Sequence, residues 1–299
     1  MNGAGGVGRQ ALKFTVGVAL SPLDQLGELA KTAEECGYSS IALPDSLFYS
    51  EQVSAKYPYT QDGSRFWDET TPWVDPFVAA AAMGAVTSRI RFYTQVLKLN
   101  PRNPVLLARQ VGSTAVLTGN RFGLGVGLGW SPEETRWCGG DFDHRGARAD
   151  EAIDVLKLIL GGGMVEYHGK YYDFDKLRMS PEPSEPVPFY VGGHTEAALR
   201  RAARVGDGWT SAMIKFDELR EVIDQLGKLR AEYDRSGPFE IQAVCVDRFG
   251  LDGYRQQAEI GVTDAIVVPW VFYGVGFDAP VQAKKDGMKR FADEIMGKL

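Results

Sequence analysis

The stretch "FYVGGHTEAALRRAARVGDGW", residues 189–209, sets the pattern on which the whole chain is built. It reads as strand, glycine turn, helix, glycine stop and second strand. Thr195 sits where it can cap the opening amides of the helix, which have no internal partners and carry the positive end of the helix dipole. Gly192 and Gly193 lack a Cβ, so a ligand could approach their backbone closely. This is how an anion site is built, often for a phosphate. An ordinary capped turn between strand and helix has the same features, and both readings are open on this stretch alone.

The same alternation runs along the rest of the chain. Strands are predicted in "LKFTVGVAL" (12–20), "SSIALP" (39–44), "RIRFYTQVLKL" (89–99), "RFGLGVGLG" (121–129), "VPFYVGG" (187–193), "DGWTSA" (207–212), "FEIQAVCVD" (239–247) and "TDAIVVPW" (263–270). Helical segments separate them and one follows the last, among them "RGARADEAIDVLKLIL" (145–160), whose Ile153, Leu156 and Leu160 share a face. Eight such units in 299 residues predict an α/β chain closed into a single (β/α)8 TIM barrel, with a doubly wound open sheet as the rival. Two long excursions interrupt the pattern: Ser46 to Pro72 after strand 2, and Gly161 to Pro188 before strand 5, the second holding a possible hairpin at "VEYHGKYYDF". No linker divides the chain, so residues 12–299 read as one domain behind a flexible tail, residues 1–11. Gly3, Gly5 and Gly8 in that tail have the spacing G-x-G-x-x-G, but no strand precedes them and no helix opens on them.

Composition narrows the function. Hydrophobic residues make up 44% and charged residues 24%, a balance that suits a globular enzyme with a full core. A net charge of −6 disfavours nucleic-acid and anionic-membrane partners. Cys36, Cys138 and Cys245, like His144, His168 and His194, have neither disulfide nor metal-ligand spacing, so no metal is expected. With no secretion signal and no membrane span in view, a cytoplasmic protein follows by default. There is no GxSxG elbow, HExxH or Walker loop.

A barrel site lies at the C-terminal ends of the strands. That places Asp45, the Gln95 to Leu99 region with Val96, Leu97 and Lys98, Gly127 to Trp130 with Gly129, Gly192 to Thr195, Ser211 to Met213, Asp247 and Trp270 at the rim. Asp45 could act as acid or base, or cap the next turn. Glycines at 123, 125, 127 and 129 strip one face of a strand, which fits a planar ligand against it or tight packing within the barrel. Phe48, Tyr49, Tyr57, Tyr59, Phe66 and Trp67 on the first excursion could cover the mouth, pin the loop to the body, or form a subunit contact. Phe48, Trp67 and Trp270 are the expected substrate-pocket residues. Lys98 and Arg102 could serve an anionic cofactor, or be solvated charges.

Taken together, "SRIRFYTQVLKLNPRNPVLLARQ", "LTGNRFGLGVGLGWSPEE", "DFDHRGARADEAIDVLK", "HGKYYDF" and the opening stretch resemble the luciferase-like monooxygenase superfamily, and most closely its actinobacterial oxidoreductases using the deazaflavin coenzyme F420. The resemblance implies a (β/α)8 barrel with a flavin or deazaflavin at its mouth. It implies that the cofactor phosphate lies at Gly192, Gly193, His194 and Thr195. It also implies a non-prolyl cis peptide at the end of the third strand, around Val96, Leu97 and Lys98, supporting the ring. The family often has Asp-His after the second strand; here it is Asp45-Ser46, which leaves Asp45 as the candidate contact to ring or substrate. Implied functions are hydride transfer between F420 and a small organic substrate, FMN-dependent monooxygenation with a partner reductase, or non-catalytic flavin or deazaflavin binding. A homodimer is expected by analogy.

Overall fold

The computed structural model describes residues 11–299. The expected tail and its three glycines, Gly3, Gly5 and Gly8, lie outside the described residues, apart from Ala11. Eleven strands are present among those described: β1 (Lys13–Gly17), β2 (Ser40–Leu43), β3 (Arg91–Thr94), β4 (Leu97–Lys98), β5 (Phe122–Gly127), β6 (Val165–His168), β7 (Asp173–Leu177), β8 (Phe189–Gly192), β9 (Gly208–Ile214), β10 (Glu240–Cys245) and β11 (Asp264–Val267). They alternate with α1 (Leu26–Glu35), α2 (Pro76–Gly84), α3 (Pro104–Leu117), α4 (Pro132–Trp137), α5 (Arg145–Leu160), α6 (Glu196–Val205), α7 (Phe216–Glu232), α8 (Gly250–Glu259), α9 (Pro269–Phe272) and α10 (Val281–Glu294).

The order β3-β2-β1-β11-β10-β9-β8-β5 is parallel throughout, and β5 returns to β3 through Phe92↔Phe122 and Tyr93↔Gly123. β4 resumes the β3 position and also pairs with β5, so the sheet closes with eight strand positions. The open-sheet alternative is excluded. Outside the barrel, β6 and β7 form the antiparallel hairpin expected in the second excursion.

Local chemistry sets the helix boundaries. Asp75, Asn103 and Ser131 cap α2, α3 and α4 with side-chain oxygens, and each is followed by a proline in the first turn, where the missing N–H costs nothing. Gly37 ends α1 in the left-handed region, at φ +83°. The short helices α4 and α9 were not expected. β1 stops at Gly17 rather than Leu20, and α10 stops at Glu294, with a 3-10 turn following at Met296–Lys298.

Glycine on β5 has a structural cause lower in the barrel. A Cβ on Gly123 would lie 2.8 Å from the Tyr190 ring, and one on Gly208 would lie 2.9 Å from the other side of that ring. The flat body lying against this part of the glycine face is therefore Tyr190. A Cβ on Gly125 would overlap the Thr94 carbonyl, where β3 approaches β5 most closely. The tight-packing reading holds for these two positions.

Candidate functional site

A cavity of about 1200 Å³ opens at the C-terminal ends of the strands. Ligand pockets for one small molecule are usually about 300–1,000 Å³, so this one has room for a large cofactor beside a substrate.

Its floor is built around an irregularity in β3. The Gln95–Val96 peptide is cis, at the start of the expected stretch, and it separates β3 from β4. Val96 projects between β5 and β8, where a Cβ on Gly127 would come within 2.7 Å of its side chain and one on Gly192 within 2.8 Å. The Gln95 amide donates to the Ser211 carbonyl at 2.8 Å, which ties this crossing to β9. Leu97 faces the other way: it is fully buried in the hydrophobic core and does not line the cavity.

Beside that floor, Gly192, Gly193, His194 and Thr195 all line the cavity. Thr195 caps α6, its hydroxyl accepting from the Ala198 amide at 3.3 Å. The amides of Glu196 and Ala197 have no partner among the described residues. Gly193 has φ +113°, a region costly for any residue with a Cβ, and its carbonyl accepts from the Trp209 indole at 2.8 Å. His194 packs between Tyr59 and Trp209. Burial pushes its imidazole below the ordinary value, with Glu218 pulling the other way at 3.5 Å. Its Nε2 is buried and has no hydrogen-bond partner. A glycine cradle, free helix-start amides and an orphaned imidazole nitrogen on one turn fit an anionic group such as a cofactor phosphate.

The rim charges are paired with each other. Asp45 Oδ1 accepts from Arg102 at 2.7 Å, while Oδ2 accepts from Arg102 and from the Lys98 amide, both at 2.9 Å. The Asp45 carboxylate is 2% exposed. A carboxylate held this way braces the loop after β4, and Asp45 also lines the cavity. Lys98 does line the cavity, but its ammonium is held by Glu134, at 2.7 Å to Oε1. Glu134 also accepts from the Leu47 amide at 3.0 Å and faces Ser46, the residue standing where the family often has histidine. Lys98 and Arg102 therefore do not offer free charge to a cofactor. Glu134 escaped functional assignment in the sequence because its partner lies 36 positions away.

The first excursion divides its aromatics. Tyr57, Tyr59, Phe66 and Trp67 line the cavity, with Trp130 and Trp73 beside them. Tyr57 meets Trp67 at 5.0 Å and Trp130 at 5.3 Å between ring centroids, so the loop is joined to the turn after β5. Burial pushes the Tyr57 hydroxyl up to about 12 and also raises Tyr59, so both keep their protons at neutral pH. Two expected pocket residues are corrected. Phe48 stacks on Trp137, centroids 5.4 Å apart, and does not line the cavity. Trp270 is completely buried, with its backbone against Gly287 of α10, because α9 turns it away from the mouth. Gly127 and Gly129 do line the cavity.

Residues 5–249 match the luciferase-like monooxygenase family, and the chain belongs to it. An uncharacterized protein of Mycobacterium tuberculosis is 43% identical over 289 residues, covering 96% of this chain and 100% of that one. The F420-dependent glucose-6-phosphate dehydrogenase of Nakamurella multipartita is 29% identical over 224 residues, 70% of this chain and 61% of that one. Among solved structures, the coenzyme F420-dependent tetrahydromethanopterin reductase of Methanopyrus kandleri superposes with a TM-score of 0.74 at 14% identity, covering 96% of this chain and 99% of that one. Monooxygenase RslO1 of Streptomyces bottropensis gives 0.73 at 15% identity, with the same coverage. The fold is thus shared by both kinds of protein.

Proposed function

From membership of this luciferase-like family we propose that the protein is an oxidoreductase that transfers a hydride between coenzyme F420 and a small organic substrate at the barrel mouth. The observation that carries this reading is the turn at Gly192–Thr195, with its two unpartnered amides, next to the Val96 projection on the floor of one large cavity. The similarity to an F420-dependent dehydrogenase over 70% of the chain supports the choice of cofactor.

When bound, the deazaflavin supplies two-electron hydride chemistry. The chain's own residues hold and shield. Gly192 and Gly193 admit the phosphate to the amides of Glu196 and Ala197, and Val96 backs the ring. Asp45 keeps the crossing between β3 and α3 in place through the Lys98 amide and Arg102. Tyr57 and Tyr59 line the chamber wall with hydroxyls that keep their protons at neutral pH. The aromatic wall excludes water from the reacting atoms.

The same wall favours a second reading, an FMN-dependent monooxygenase fed by a partner reductase, because that chemistry also needs water kept out. A fluorescence titration with F420 and with FMN separates the two. Saturable F420 binding with at least tenfold weaker FMN binding is expected; the reverse order would overturn the leading reading.

A further inference from the structure

The cavity is divided by charge. Every Asp, Glu, Lys, Arg or His that lines it lies between Asp45 and His194, and none comes from β9 onward. Within the charged half, Asp45 is neutralised by Arg102 and Lys98 by Glu134. That leaves Lys56, Arg145 and the partnerless Nε2 of His194 on the side that carries the α6 turn.

The other half is formed by the ends of β9, β10 and β11 with α8, α9 and α10. Its wall has polar groups at Thr210, Ser211, Cys245, Tyr254 and Gln257 but no Asp, Glu, Lys, Arg or His, and its exposed side chains are apolar: Met213, Val246, Phe249, Val271 and Phe272 all line the cavity and remain 36–58% exposed. Side chains of this kind are usually buried, and together on the wall of one chamber they mark a surface that an apolar ligand would cover. A phosphate or carboxylate placed there would lose its water and find no cation, at a cost far above what its attached carbon atoms could offset.

Resting on the oxidoreductase reading above, we propose that the substrate is a neutral, predominantly apolar molecule seated against the β9–β11 half, and that this chamber rejects substrates bearing a phosphate or carboxylate at that end. The division of labour is electrostatic. Anionic parts of the cofactor take the side of α6, and the substrate takes the side without ionised groups.

The probes are neutral 2-alkanones of four to ten carbons, each compared with the same chain ending in a carboxylate. Binding is read by quenching of tryptophan fluorescence, since Trp67 and Trp130 stand in the wall. The titration is run with and without F420. Affinity of the neutral series should rise about fourfold per added methylene until the chamber is filled. The terminal carboxylate should weaken binding at least a hundredfold. Met213→Lys, at a position 42% exposed and therefore tolerant of lysine, should restore at least tenfold of that loss. A flat neutral series, carboxylates that bind as tightly as neutral chains, or no effect of Met213→Lys would overturn the proposal. A steep neutral series in a protein that binds neither F420 nor FMN would overturn the redox reading and leave the chamber's preference standing. A flat series in a protein that binds F420 would do the opposite.

Discussion

At the N-terminal ends of the strands the barrel interior is full; at the C-terminal ends it is hollow. Below, Tyr93 and Tyr190 meet edge to face at 5.4 Å, and Tyr190 lies between Gly123 and Gly208. Arg91 donates to the Tyr190 hydroxyl at 2.8 Å, and Asp264 is buried beside Ser39. Above, Gly127, Gly129, Gly192 and Gly193 surround open space. The same residue type thus serves opposite ends. Below, glycine makes way for the Tyr190 ring and the Thr94 carbonyl; above, Gly127 and Gly192 make way for the Val96 side chain on the cavity floor. The closed end is packed with the chain's own side chains and the open end borders the cavity, the arrangement expected of this class of barrel.

The largest expected effect comes from breaking the brace that keeps the upper end in shape. Asp45→Ala leaves Arg102 buried without its partner and should cost about 3–5 kcal/mol in a denaturant melt, with cofactor affinity falling in parallel. Full stability with turnover alone abolished would instead mark Asp45 as a chemical group. Next is Gly125→Ala, at the level where the packed half gives way to the hollow one. Its methyl would meet the Thr94 carbonyl, so a loss of up to about 3 kcal/mol is expected. An unaltered melting curve would remove the packing explanation for the β5 glycines.

Thr195→Ala acts on the hollow end. Loss of the α6 cap should cost about 1 kcal/mol of stability. Calorimetry with F420 should show weaker binding as well, because the helix start is less well ordered. Unchanged affinity would place the anion elsewhere.

The smallest effect concerns the filled end. Burial pushes the Asp264 carboxyl up to about 7, opposed by the hydrogen bond from Ser39. Its folded-state value lies above the ordinary 3.8, so the folded chain holds this proton more tightly than the unfolded one. The stabilisation is complete below about pH 4 and is lost as pH rises through about 7. Asp264→Asn should flatten this part of the pH–stability curve, and the difference from the parent should be clearest in thermal melts between about pH 4 and 7. Parallel curves over that range would show that Asp264 is ionised in the folded state.

What could be read from the sequence was local. Eight apolar runs separated by helices were enough for the closed barrel, and the Gly-Gly-His-Thr turn carried its own cap and helix start. What could not be read depends on distant partners. Nothing near Asp45 announces Arg102, 57 positions on, so a buried ion pair looked like a free carboxylate. Nothing in "RFGLG" announces Tyr190. Trp270 looked like a rim residue because it ends a strand-like run, whereas α9 begins at Pro269 and turns it into the core. Phe48 shares its loop with the cavity aromatics, and only the position of Trp137 shows that it packs outside.

The most direct measurement is diffraction from crystals grown with F420. Density for the cofactor phosphate is expected at the amides of Glu196 and Ala197, within the turn of Gly192 to Thr195, and the ring should lie over Val96. A phosphate bound away from α6, or a ring outside this cavity, would contradict the assignment of the hollow end as the cofactor site.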